Sequence, residues 1–126
     1  IGLDTKVLVR FLFETTTHGT GDLLARGVAA GEQFFIGEVV LAETCWDCQL
    51  NRCSREALAA VIRQLLSAEE LAFESADRAV RALHAFEQGA AGFADYLIGE
   101  RARDAGCTEV YTFDQKLLRG SLFAGP

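Results

Sequence analysis

The chain has 126 residues, half of them apolar, with four cysteines, one proline and a net charge of −6. That length and apolar content suit one domain over residues 1–126 that buries a core without staples. No apolar run is long enough to cross a bilayer and no signal peptide is recognisable, while the acidic balance argues against a simple electrostatic nucleic-acid binder, which presents a basic excess.

Residues 1–5 read as a short buried strand, and Thr5 as the N-cap of a helix carrying Val7, Leu8, Phe11 and Leu12. Met is absent even at position 1, so the natural start is expected upstream, with the first strand beginning earlier. Residues 15–21 are polar, glycine-containing and without period, a loop. A second helix is expected from Asp22 to Ala30, stopped by Gly31. Gln33–Ile36 is a second strand, broken by Gly37.

From Glu38 the pattern is helical through Val39, Val40, Glu43, Trp46 and Leu50, and Glu43 interrupts an otherwise apolar stripe. Ser54 opens a further helix through Leu58, Val61, Ile62, Leu65 and Leu66, and Glu69-Glu70 ends it. Leu71–Glu74 reads as an edge strand. Ser75 caps a helix through Ala79, Val80, Leu83 and Phe86, ended by Gln88-Gly89. The next helix runs from Ala90 to about Ala105, with Gly106 as its stop. Glu109–Thr112 is a strand of β-branched and aromatic type. Phe113 and Asp114 follow it, and a short helix holds Leu117 and Leu118. Strands alternating with helices predict an α/β fold with a parallel sheet and right-handed crossovers.

Four of the eighteen acids stand apart. Asp4 and Asp114 fall at the C-terminal ends of predicted strands, where open α/β sheets bind ligands. Glu43 and Asp95 fall where the helical period calls for an apolar residue. Charged groups are rarely buried unless paired or metal-bound. Clustered carboxylates raise one another's pKa unless a counter-charge is present. A hard cation such as Mg²⁺ or Mn²⁺ resolves the clash and can lower the pKa of a bound water. Singly, the bland readings compete: Asp4 as a helix cap, Glu43 paired with Arg10, Asp95 as an acid favoured by the helix dipole. Other acids, Glu14, Glu56, Glu70, Glu87 and Glu100 among them, fit solvated faces or helix ends.

The cysteines are Cys45, Cys48, Cys53 and Cys107. Cys45-Trp46-Asp47-Cys48 is a CxxC, but zinc would want further soft ligands at matching spacing. A redox pair gains reactivity at a helix N-terminus, whereas this one lies inside a predicted helix. The expectation is reduced thiols in a cytoplasmic protein, packed as small side chains.

Four segments in order resemble the PIN-domain nuclease family, and within it the VapC-type ribonuclease toxins of toxin–antitoxin pairs. They are Leu3-Asp4-Thr5 with Val7-Leu8-Val9-Arg10, Val40-Leu41-Ala42-Glu43-Thr44 with Trp46, Gly92-Phe93-Ala94-Asp95-Tyr96-Leu97-Ile98, and Val110-Tyr111-Thr112-Phe113-Asp114-Gln115-Lys116-Leu117. The resemblance implies a three-layer α/β/α fold with a short central parallel sheet and Mg²⁺- or Mn²⁺-dependent cleavage of RNA. It implies Asp4 and Asp95 closest to the metal, Glu43 and Asp114 acting through its waters, and Thr112 in a supporting role. It also implies homodimers and a small antitoxin whose basic or amphipathic segment crosses each active site. Arg10 and Lys116 are candidate contacts to single-stranded RNA.

One residue departs from the family pattern. Lys6 stands where Asn or Ser usually follows the Asp-Thr pair. Its ammonium can pair with the acids and compete with metal, contact a substrate phosphate, or extend to solvent. Lys6 favours a second reading, a PIN-like interaction module without catalysis. A third reading, a phosphatase or phospho-acceptor domain, also places Asp after the first strand, but lacks the nearby second acid and leaves Glu43 without a role.

Overall fold

A computed structural model describes residues 1–13, 20–51, 53–120 and 122–126, with side chains left aside over 20–24. Three short parallel strands form the main sheet: β1 (Gly2–Leu3), β2 (Phe34–Ile36) and β3 (Leu71–Phe73), in the order β1-β2-β3. Between β1 and β2 lie α1 (Thr5–Phe13) and α2 (Thr20–Ala29). Between β2 and β3 lie α3 (Glu38–Asn51) and α4 (Arg55–Ser67), and α5 (Ala76–Gln88) and α6 (Phe93–Asp104) follow. β4 (Val110–Tyr111) and β5 (Phe123–Ala124) pair in parallel as a separate two-stranded piece. The architecture is the expected three-layer α/β/α, with its parallel strands divided three and two among the described residues. The expected loop at 15–21 and the start of the second helix lie largely outside the described side chains.

Parallel strands that are covered on both faces need apolar side chains in both directions. On one face Phe34 and Ile36 of β2 are almost wholly buried and Leu3 beside them is buried too, whereas Phe35, pointing the other way, is 45% exposed. Around them pack Leu8 of α1, Leu41, Cys45 and Cys48 of α3, Leu58 and Ile62 of α4, Leu83 and Phe86 of α5, and Phe93 and Leu97 of α6. Phe86 and Phe93 meet edge to face at 6.2 Å, a geometry aromatic quadrupoles favour. A smaller cluster of Ala91, Leu117, Leu122 and Phe123 anchors the C-terminal strands. Gly99 makes that possible: a Cβ there would stand 2.7 Å from the Phe123 ring.

Serine caps fall where the sequence places them. Ser54 Oγ accepts the Ala57 N–H at 3.1 Å and Ser75 Oγ accepts the Arg78 N–H at 3.2 Å. Gly31 and Gly106 take the positive φ values of 78° and 94° that end α2 and α6, conformations that cost a side-chain-bearing residue. Three expectations change. The predicted helix at Leu117-Leu118 is a run of turns, α6 begins at Phe93 rather than Ala90, and β5 was not anticipated.

The cysteine expectation is also corrected. Cys48 and Cys53 form a disulfide, their Cα atoms 5.5 Å apart, joining the end of α3 to the segment before α4. Cys45 and Cys107 are free, so the CxxC itself is not bridged. Cys48 points into the core while Cys45, one turn before, is enclosed by apolar neighbours. Burial pushes the Cys45 thiol up to about 12, which leaves it inert at neutral pH.

Candidate functional site

β1 delivers Asp4 to the start of α1. Its backbone carbonyl accepts the Leu8 N–H at 3.1 Å and its Oδ1 accepts the Val7 N–H at 3.1 Å. Asp4 is therefore the N-cap, one residue earlier than expected, and its negative charge sits at the positive end of the helix dipole. Thr5 is released from capping. Its hydroxyl donates instead to Glu43 Oε1 at 3.0 Å, across from α1 to α3. That hydrogen bond ties Glu43 to the residue that follows Asp4.

Glu43 does not face the core. The buried face of α3 is Glu38, Leu41, Thr44, Cys45 and Cys48. Val39, Glu43, Trp46 and Leu50, spaced by helical turns, form the opposite, exposed stripe. The expected burial of Glu43 in an apolar stripe is overturned. The stripe exists, but it lies in solvent, with Trp46 63% and Leu50 72% exposed. Glu43 and Trp46 line two clefts at once. One, of about 520 Å³, lies against α1 and includes Thr5, Lys6 and Arg10. The other, of about 510 Å³, lies against α6 and includes Ala94, Ile98 and Arg101.

Asp95 is half-buried in the first turn of α6, where its Oδ2 accepts the Gly92 N–H at 3.1 Å. The Phe93 N–H donates to Gln49 Oε1 of α3 at 3.4 Å, which holds the start of α6 against the end of α3. The turn before Asp95 is clamped from behind. Tyr96 Oη accepts the N–H groups of Ala90 and Ala91 at 3.1 and 3.2 Å. The Arg55 guanidinium donates to the carbonyls of Phe86, Gly89, Ala90 and Ala91 and stacks over the Phe86 ring. Neither Arg55 nor Tyr96 was singled out from sequence. Their signal is weak, an arginine just inside a helix and a tyrosine just past the Asp.

Asp114 is exposed, three residues beyond β4. Its N–H donates to Thr112 Oγ1 at 3.0 Å and its Oδ1 accepts the Lys116 N–H at 2.9 Å. Thr112 thus shapes the turn that presents Asp114, while its own N–H donates to the Ala124 carbonyl of β5.

A common design runs through the four acids. Each spends one carboxylate oxygen on a neighbour that orients it: Val7, Thr5, Gly92 or Lys116. The second oxygen of each accepts no hydrogen bond, and none of the four is ion-paired, among the described residues. Five other acids among the described residues are matched to arginines instead. Glu38 and Glu74 meet Arg101, Glu38 and Asp104 meet Arg78, Glu100 meets Arg81 and Arg103, and Glu87 meets Arg63. The competing pairing of Glu43 with Arg10 is not seen among the described residues, where Glu43 accepts from Thr5. Lys6 is exposed, lines the α1–α3 cleft and pairs with neither Asp4 nor Glu43.

The donor chemistry fits a hard divalent cation, since every candidate ligand is a carboxylate oxygen. Their spacing does not close round one. Among the described residues no three His, Cys, Asp or Glu side chains stand near enough to hold a metal ion. The structure brings Glu43 to Thr5, beside Asp4, and packs the start of α6, with Asp95, against α3. Asp114 stands on a separate turn after β4.

Comparison with known families gives one match, the PIN domain, over residues 1–121. No curated protein and no solved structure matches the chain.

Proposed function

The chain belongs to the PIN domain family, and from that premise we propose that residues 1–126 are a single nuclease domain, a Mg²⁺- or Mn²⁺-dependent endoribonuclease. PIN domains are generally nucleases, hydrolases acting on phosphodiester bonds. Asp4 and Asp95 would hold the metal most directly, with Glu43 and Asp114 acting through its waters and Thr112 supporting Asp114. The observation that carries the reading is the state of these four acids. Five other acids, Glu38, Glu74, Glu87, Glu100 and Asp104, are matched to arginines, whereas each of these four has one carboxylate oxygen oriented by a neighbouring donor and one left open among the described residues. A bound divalent ion would offset their charge and supply a water of lowered pKa. The protein's own part is positional: Thr5 sets Glu43, the α1 cap sets Asp4, and the clamp of Arg55 and Tyr96 sets Asp95.

We further infer the toxin of a toxin–antitoxin pair, cytoplasmic and homodimeric, silenced by a small antitoxin. The net charge of −6 suits a basic partner segment, because complementary charge favours encounter. The second reading, an interaction module that keeps the fold without catalysis, draws on Lys6 and on the separation of the acids.

One experiment decides. The purified chain is incubated with single-stranded RNA and Mg²⁺ or Mn²⁺, beside Asp4→Asn and Asp95→Asn. Cleavage by the wild type that EDTA and either substitution abolish, with folding unchanged, supports the nuclease. Cleavage that survives both substitutions removes the acids from the chemistry. An inert wild type with both metals favours the interaction module. Growth arrest on expression, relieved by Asp4→Asn, tests the toxin role.

A further inference from the structure

The exposed stripe of α3 has a use that its core-facing residues do not explain. Trp46 is the only tryptophan in the chain, and it is 63% exposed. Its indole N–H donates to no group among the described residues. It lies one helical turn past Glu43, on the same face. Across the α1–α3 cleft stands Lys6, exposed and, among the described residues, without a hydrogen bond or ion pair. Asn51 closes the cleft's far end, its amide held by Asp47 at 3.3 and 3.4 Å.

We propose that Trp46 and Lys6 form a nucleotide subsite for single-stranded RNA beside Glu43, the indole stacking a base and the ammonium contacting its phosphate. This rests on the nuclease reading above. A large aromatic left in water exposes surface that burial would stabilise by roughly 25 cal/mol per Å². A base can cover it without a shape-matched protein partner, because every base presents a π-face. The cation opposite is what distinguishes the cleft from a plain apolar contact. A phosphate needs a positive group that is not already paired, and Lys6 is one. The volume, about 520 Å³, falls within the range of small-ligand sites. Within the cleft a stacked base belongs at Trp46 and the phosphate at the Lys6 side. Stacking is tolerant of sequence, and larger purine faces are favoured over pyrimidines.

This assignment also answers the question raised by Lys6 in the sequence. An ammonium that ignores Asp4 and Glu43 is not a substitute for metal. It faces the cleft that a substrate strand would follow to reach them.

The single tryptophan makes the subsite directly observable. Intrinsic fluorescence of the full chain is titrated in EDTA with oligoadenylate, oligouridylate and, as a control, inorganic phosphate, at several protein concentrations. The expected result is saturable quenching by both RNAs, tighter with oligoadenylate, independent of protein concentration and weakened in Lys6→Ala. In steady-state cleavage, Trp46→Ala raises KM about tenfold and leaves kcat within about twofold, whereas Trp46→Phe keeps most of the affinity. Absence of quenching by RNA overturns the subsite. So does an emission change that follows protein concentration alone, which assigns the stripe to a second copy of the chain. The outcomes separate from those of the nuclease reading. RNA quenching without cleavage in either metal removes the enzyme and keeps the subsite. Cleavage abolished by Asp4→Asn, with Trp46→Ala unchanged in KM, keeps the enzyme and removes the subsite.

Discussion

The hydroxyl of Thr5 donates to Glu43 Oε1 at 3.0 Å, joining residues 38 positions apart through the packing of α1 on α3. The bond exists because Asp4 takes the helix cap. Had Thr5 capped α1, its hydroxyl would have been spent on the Val7 or Leu8 N–H. Thr5→Val removes the donor while keeping the side-chain shape. It should lower kcat for RNA cleavage by about tenfold, the equivalent of ~1.4 kcal/mol, with the melting temperature little changed. Thr5→Ser retains the hydroxyl and should retain most of the rate. Equal activity in all three proteins would mean that Glu43 needs no help in orientation.

Arg55 carries the next prediction. One half-buried guanidinium satisfies four carbonyls over Phe86–Ala91 and lies 4.1 Å from the Phe86 ring centroid. Carbonyls at a helix end need such partners. Arg55→Ala strips them at once and should cost about 2–4 kcal/mol in urea unfolding. Arg55→Lys should recover only part, because an ammonium cannot spread its donors over four acceptors. Because the same turn leads into Asp95, RNA cleavage should fall in parallel with local hydrogen-exchange protection at Gly89–Phe93.

The disulfide gives a prediction about redox state. Cys48 and Cys53 are five residues apart. Closing so short a loop restricts the unfolded chain only modestly, by about 2 kcal/mol in the chain-entropy account. Reduction, or Cys53→Ser, should lower unfolding stability by that order and leave the fold in place. Thiol titration of the native protein should find Cys107, which is exposed, and miss Cys45. Rapid labelling of Cys45 would show that its burial is not maintained in solution.

Much of this architecture is legible because the local signals are unambiguous. Ser54 and Ser75 cap where apolar periods begin, and Gly31 and Gly106 stop helices where only a positive φ will serve. The legibility fails where two answers satisfy the same local chemistry. Asp4 and Thr5 are both good caps, and only the nearness of Glu43 decides between them. Along α3, apolar residues occupy both faces: Leu41, Cys45 and Cys48 on one, Val39, Trp46 and Leu50 on the other. Periodicity cannot choose the buried side of such a helix, so Glu43 was placed inward. The strand at Phe123-Ala124 spans two residues, too few for alternation to register. The grouping of Asp4, Glu43, Asp95 and Asp114 rests on strand-end and helix-face positions and on the family resemblance, and among the described residues no three of them stand near enough to hold a metal ion. Their individual poses, each fixed by one nearby donor, depend on turns that no spacing rule describes.

Glu38 carries the final prediction. It is 7% exposed at the start of α3. Its Oε2 accepts from Arg78 and, at 2.9 Å, from Arg101, while Oε1 is buried without a hydrogen-bond partner. Its N–H donates to Glu74 Oε1 at 3.0 Å, and Arg78 and Arg81 both reach Asp104. The network therefore binds α3, α5 and α6, the frame that holds the α3–α6 cleft. The backbone N–H of Glu38, with Arg101 beside it, holds the Glu74 carboxyl below its ordinary value. Hydrogen bonds from Arg78 and Arg81 do the same for Asp104. A carboxylate whose folded pKa is depressed stabilises the fold at pH values above its unfolded pKa, and the benefit disappears as pH falls through the folded pKa. Stability should therefore be level above about pH 5 and decline below about pH 4, read from urea midpoints across pH 3–7. Glu74→Gln and Asp104→Asn should each flatten that decline. Glu38→Ala should destabilise more than Glu87→Ala, because Glu87 meets Arg63 at an exposed surface where such pairs contribute little. A decline unaffected by either amide substitution would assign the acid sensitivity to other carboxylates.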